Sequence, residues 1–195
     1  MTYNEIKNKY HNFIYDKFEV IESDSAYKVI YYFEIEGLKK FNPSLEIEKK
    51  YIKNNNINKT FLNDLLFHVG LVELISYWKC AMPQNVIIKA GHLTEKQINW
   101  FKKLYYYGLG EFMYINNIDV SIDTFMTVKV ECPKTEYNVE YNGVGNLIAI
   151  GGGKDSNVSL NLLKNMYDLN DAFMINPKAV HFAVLMLVDM KINPL

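Results

Sequence analysis

The stretch GNLIAIGGGKDSNVSLNLLK, Gly145 to Lys164, sets an apolar run, three consecutive glycines, a lysine, an aspartate, a serine and a run of helical spacing in immediate succession. The 195 residues contain ten glycines in all, so three side by side mark a place where bare backbone is wanted. A strand that ends in glycines and feeds straight into a helix exposes unpaired N–H groups at the positive end of the helix dipole. Glycine permits positive φ there and lets a ligand come close, so the turn reads as an anion cradle. Lys154 adds a point charge and Ser156 a hydroxyl, while Asp155 fits either as a helix cap or as a partner for a metal ion. With the apolar run AFMIN, ended by Pro177, the order becomes strand, helix, strand, which is a parallel βαβ unit.

Counting residues excludes two common phosphate motifs. A Walker A loop needs a glycine five positions before Gly153 and a Ser or Thr after the lysine, and those positions hold Ile148 and Asp155. A dinucleotide fingerprint needs its glycines after the strand, whereas Gly143 and Gly145 precede it and Ile148 stands where the third is required.

Upstream of this unit the pattern is different. FEVIE and YKVIYYFEIEG, parted by SDSA, predict a β-hairpin and an antiparallel N-terminal layer. The segment TFLNDLLFHVGLVELISYWK carries Leu62, Leu65, Leu66, Val69, Val72 and Ile75 at spacings of three and four, which predicts a helix with that stripe turned inward and Thr60 as its cap. NVIIKAG reads as a short buried strand. LTEKQINWFKKLYYYG reads as a second helix, bounded by a Thr94–Gln97 capping box and by Gly108 at a left-handed C-terminal position. A further strand is expected from Thr124 to Glu131, after a turn at Asn116 and Asn117. The polar stretch 133–145 reads as a linker, so the expected domains are 1–132, an α+β domain, and 146–195, the βαβ unit.

Composition narrows function by exclusion. A net charge of −1, from 21 basic and 22 acidic residues, offers no global field for nucleic acid or an anionic membrane, and the many tyrosines lack basic interleaving. No apolar run reaches the roughly 20 residues of a membrane helix. Cys80 and Cys132 are far apart and no secretory signal opens the chain, so the expected compartment is the cytoplasm. No HExxH or other metal-ligand spacing occurs, so no protein metal centre is expected. His68, five residues from Glu73, reads as a core or boundary histidine.

The series Gly151, Gly152, Gly153, Lys154, Asp155, Ser156 resembles the S-G-G-x-D-S loop of the PP-loop ATP pyrophosphatase superfamily, with Gly151 in place of the leading serine. The blocks GLVELISYWK and GLGEF, which precede it in that order, make the chain from Leu62 to Pro177 resemble the UDP-N-acetyl-α-D-muramoyl-L-alanyl-L-glutamate epimerase family of peptidoglycan synthesis. The resemblance implies an α/β fold in which the N-terminal α+β domain is followed by the first βα units of a PP-loop, adenine nucleotide α-hydrolase-like parallel sheet. It implies ATP and Mg²⁺ as cofactors, a UDP-muramoyl dipeptide as substrate, and inversion of the terminal glutamate through an acyl adenylate with release of AMP and pyrophosphate. Adenylation suits this chemistry, because it removes the carboxylate charge that otherwise opposes loss of the α-proton.

By that resemblance Gly151, Gly152, Gly153 and Ser156 contact phosphate, Asp155 caps the helix or meets the metal, Lys154 joins them, and Asn176 lies where related folds place adenine. His92 and Glu111 are the candidates for proton transfer. PP-loop sheets have about five strands and this sequence shows two, so the expectation is a fragment, a truncated product, or one half of a split enzyme whose partner chain meets the apolar run Val180 to Val188. Two other readings stay open: a PP-loop adenylating enzyme with another acceptor, and a non-catalytic chain that binds a partner.

Overall fold

The computed structural model describes residues 3–52, 58–134, 145–166 and 170–174. Two units divide the chain, Met1–Val139 and Glu140–Leu195.

The first unit is mostly sheet. Helix α1 (Tyr3–Lys9) leads into β1 (Asn12–Glu22), which pairs antiparallel with β2 (Ala26–Ile35), as the hairpin reading expected. A bulge between Tyr15 and Lys17 shifts the register. Both β3 (Lys39–Phe41) and β4 (Ser44–Glu48) pair with β2, forming an edge interrupted at Asn42 and Pro43. Proline has no N–H to give a ladder, but its carbonyl accepts from Tyr31 N at 2.9 Å.

The sheet is then extended on its other side with parallel strands. Helix α2 (Lys59–Trp78) crosses over to β5 (Asn85–Ile88), which lies parallel to the start of β1. Helices α3 (Glu95–Gly108), α4 (Gly110–Ile115) and α5 (Ile122–Phe125) lead to β6 (Thr127–Val130), parallel to β5. The order is β3-β2-β1-β5-β6, so the expected antiparallel layer is in fact a mixed sheet.

Alternation along the strands builds the core. Phe13 and Tyr15 of β1, Val29, Tyr31, Phe33 and Ile35 of β2, and Val86 and Ile88 of β5 are all buried, and α2 packs against them with Leu66, Phe67, Leu71, Leu74 and Trp78.

Four local expectations for this unit need correction. The cap of α2 is Asn58, whose Oδ1 accepts from Thr60 N and Phe61 N, so Thr60 donates to the cap instead of forming it. The apolar stripe faces inward only in part: Leu66 is buried and Leu62 and Ile75 pack against the core, but Leu65, Val69 and Val72 are exposed, because apolar residues surround α2 on nearly every side and the contacts with the sheet decide. Gly108 is not left-handed; Leu109 ends α3 at φ −99° and the chain turns directly into α4. Residues 122–125 are a helical turn capped by Ser121, which delays the strand to Thr127. The capping box of α3 and the turn at Asn117, with φ 52°, agree with expectation.

In the second unit β7 (Asn146–Ala149) pairs parallel with β8 (Asn170–Phe173), and α6 (Lys154–Leu163) connects them, the βαβ order read from the sequence. Its small core is Ile148, Ile150, Leu160 and Ala172. The linker residues 135–144, Asn176 and the run Val180 to Val188 lie outside the described residues.

Candidate nucleotide-binding loop

The loop begins where β7 ends. Ile150 N donates to Phe173 O at 3.0 Å, which carries the strand one residue past its ladder, and Gly151 to Gly153 then turn the chain into α6. Gly152 has φ 76°, a conformation that glycine alone adopts without strain. Gly153 is the N-cap of α6 and brings no side chain to the first turn, so the opening N–H groups of that helix have no side-chain cap. Asp155 lies inside the first turn, exposed, and does not cap it.

Ser156 closes the loop on itself. Its Oγ accepts from Gly151 N at 2.8 Å, and the side chain is buried against the turn. The hydroxyl proton remains available for donation outward. Lys154, like Asp155, is exposed. Six residues of the expected site, Gly151 to Ser156, therefore form one continuous turn and helix start after a parallel strand.

The glycines differ in why they are glycines. Gly152 is needed by its backbone. Gly151 and Gly153 have no positive φ, and a Cβ built on Gly153 meets nothing within 4 Å, while one on Gly151 meets only Ser156 Oγ at an ordinary 3.7 Å. Neither conformation nor packing asks for glycine at these two positions. The space beside them is open.

The two candidates for proton transfer belong to the first unit. His92 follows β5 and is partly buried, with Nδ1 3.0 Å from Cys132 O. A carbonyl only accepts, so the neutral ring carries its proton on Nδ1 and presents a lone pair at Nε2. Glu111 is exposed in the first turn of α4. Among the described residues no group of three or more His, Cys, Asp or Glu side chains could hold a metal ion, and no helix is long and apolar enough to cross a membrane.

The SYWK and GLGEF blocks of the first unit make packing and hydrogen-bond contacts. Trp78 Nε1 donates to Pro83 O at 2.9 Å, Tyr77 packs on Phe33 and Phe41 and donates to Glu73 Oε1 at 3.2 Å, and Lys79 lies over the Phe112 ring at 5.9 Å. That last contact joins the SYWK block to the GLGEF block. Sequence reasoning had no sign of a second role, found at His68, whose Nε2 meets Gln97 of α3 at 3.2 Å.

In comparison with known families, the family model for the MurL N-terminal domain matches residues 4–191. The chain belongs to the MurL N-terminal domain family. Two curated proteins similar to it are both named UDP-N-acetyl-alpha-D-muramoyl-L-alanyl-L-glutamate epimerase. That from Xanthomonas oryzae pv. oryzae is 31% identical over 108 residues, 55% of this chain and 24% of the relative. That from a Micromonospora species is 30% identical over 119 residues, 61% of this chain and 26% of the relative. This MurL N-terminal domain protein thus spans about a quarter of the length of those relatives in each match. No solved structure matches it.

Proposed function

We propose that this chain supplies the nucleotide-binding loop of an ATP-dependent epimerase, one that inverts the terminal L-glutamate of UDP-N-acetylmuramoyl-L-alanyl-L-glutamate for peptidoglycan precursor synthesis. Membership of the family and the names of the two relatives support the reaction class. The observation that carries the loop's role is the pair Gly151 and Gly153, whose missing side chains leave room that neither the backbone nor the packing requires.

ATP, with Mg²⁺, would supply activation of the glutamate carboxyl as an acyl adenylate, which acidifies the α-carbon. The chain's own part is to bind and orient. The uncapped N–H groups at the start of α6 offer donors to a polyphosphate, with the Ser156 hydroxyl and the Lys154 charge beside them. Asp155, exposed in the first turn, would be the carboxylate that meets Mg²⁺ carried by the nucleotide. His92 Nε2, kept as a lone pair by the Cys132 carbonyl, is suited to accept a proton, and Glu111 is the alternative.

On the far face of β7 Leu147 and Ala149 are exposed, and parallel sheets are ordinarily covered on both faces. That supports a larger PP-loop sheet in the working enzyme, completed by a second chain or by more of a longer one.

The test is thermal unfolding of the full chain with and without Mg-ATP. A ligand at 100 times its Kd adds about 2.7 kcal/mol. Gly153→Val should fold as the wild type does and lose that gain, since the new side chain enters only the open space. An equal gain in both proteins, or none in the wild type, counts against the loop as the ATP site. The epimerase assay on the muramoyl dipeptide then decides the substrate.

A further inference from the structure

We propose that Thr94, Gln97 and His68 form a pH-sensitive latch between α3 and α2, closed only while the His68 ring is neutral. The Gln97 amide has one possible orientation. Its Oε1 lies 2.9 Å from Thr94 N and 2.8 Å from Thr94 Oγ1, and a backbone N–H must meet an acceptor, so the oxygen faces Thr94. The NH₂ group is therefore turned to His68, with Gln97 Nε2 3.2 Å from His68 Nε2. An amide nitrogen donates and does not accept, so His68 Nε2 holds the lone pair. The ring proton sits on Nδ1 and donates to Asp64 O at 2.7 Å. From the Thr94 amide to a carbonyl of α2, each link sets the direction of the next.

A second proton on the ring has only Nε2 to occupy. Two donors would then face each other at 3.2 Å. Gln97 cannot relieve the conflict by turning over, because its NH₂ would then meet Thr94 N–H and break the capping box that starts α3. From α2 itself Asp64 Oδ2 stands 3.6 Å from Nδ1, and Phe67 presents a ring at 5.1 Å. From α3 come the Gln97 amide and the Phe101 ring at 6.0 Å, neither of which ionises. Asp64 lies on the Nδ1 side and leaves the conflict at Nε2 in place.

Acid opens the latch by costing the Gln97–His68 bond. Tyr105 Oη also ties α3 to α2, donating to Leu71 O at 2.6 Å, two turns further along. Opening frees the start of α3, the helix that leads through Leu109 into the GLGEF block.

The latch is tested on the ¹⁵N-labelled full chain by imidazole NMR and amide exchange between pH 8 and pH 5. At pH 8 the His68 ring should be the Nδ1–H tautomer. Protection factors at Gln97 and Ile98 should fall by about five- to tenfold at pH 5, the loss of one hydrogen bond. Gln97→Glu keeps an acceptor for Thr94 and turns a second acceptor to His68, so its protection should rise toward pH 5. An Nε2–H tautomer at pH 8, protection that does not change with pH in the wild type, or the wild-type sign in Gln97→Glu would each overturn the latch. The tautomer measurement needs no variant, so a substitution that fails to fold leaves the test standing.

Discussion

The hydroxyl of Tyr15 fills the space that a side chain at residue 70 would need: a Cβ built on Gly70 would collide with Tyr15 Oη, and would lie 2.7 Å from Tyr15 Cζ and 2.8 Å from Tyr31 Cδ1. Three buried phenols grip the same helix by its carbonyls. Tyr15 donates to Phe67 O at 3.4 Å, Tyr31 to Leu66 O at 3.2 Å and Tyr105 to Leu71 O at 2.6 Å. The helix sits this close to the sheet because residue 70 has no side chain.

Gly70→Ala should therefore destabilise the chain by about 1–3 kcal/mol, overpacking outweighing the roughly 1 kcal/mol that alanine gains as a helix former. Urea unfolding measures it. Tyr15→Phe in the same chain removes the shortest contact and should recover part of the loss. A stabilised Gly70→Ala would mean that α2 stands further from the sheet.

Alkaline pH should unfold the first unit through these same phenols. Burial pushes Tyr31 up to about 12, and pushes Tyr15 and Tyr105 further up, the Tyr31 phenol adding to the rise at Tyr15. A folded pKa raised above the unfolded value of about 10 gives stability that is whole below pH 10 and is lost as pH climbs toward the folded value, about 1.4 kcal/mol per pH unit for each phenol. Absorbance at 295 nm should show these tyrosines ionising together with unfolding. Ionisation in a chain that keeps its fold would contradict their burial.

The two sides of α2 should respond in opposite ways. Leu71→Ala or Leu74→Ala, on the buried side, should cost about 2–5 kcal/mol. Leu65→Lys or Val72→Lys, on the exposed side, should stay within about 0.5 kcal/mol of the wild type. A large loss from Val72→Lys would show that this face is covered in solution.

The two tryptophans should report separately. Trp78 is 2% exposed and hydrogen-bonded to Pro83 O, whereas Trp100 is 58% exposed. Trp100→Phe should leave blue-shifted emission at nearly unchanged stability, while Trp78→Phe should leave red-shifted emission and cost about 1–3 kcal/mol through the lost hydrogen bond and volume. The opposite spectral assignment would reverse which face of each helix is inside.

Much of this was legible in the sequence because it depends on near neighbours. The Thr94–Gln97 capping box, the hairpin across SDSA and the strand, glycine turn and helix from Leu147 onward are all set within a few residues, where backbone geometry and side-chain reach suffice. The family could be named for the same reason, since its blocks are short and ordered. By itself, then, the sequence determined the hairpin, the two long helices and the strand, glycine turn and helix order of the second unit.

Only the tertiary structure decided which side of α2 is buried, because a helix apolar on every side carries no periodic signal and Tyr15 and Tyr31, more than thirty residues away, make the choice. It alone separated Gly152, which its φ requires, from Gly151 and Gly153, which nothing in the chain requires. It alone brought His68 Nε2 within 3.2 Å of the Gln97 amide, across 29 residues of chain. For α2 and for His68 the deciding atom lies far along the chain and close in space, and packing, not local propensity, brings the pair together.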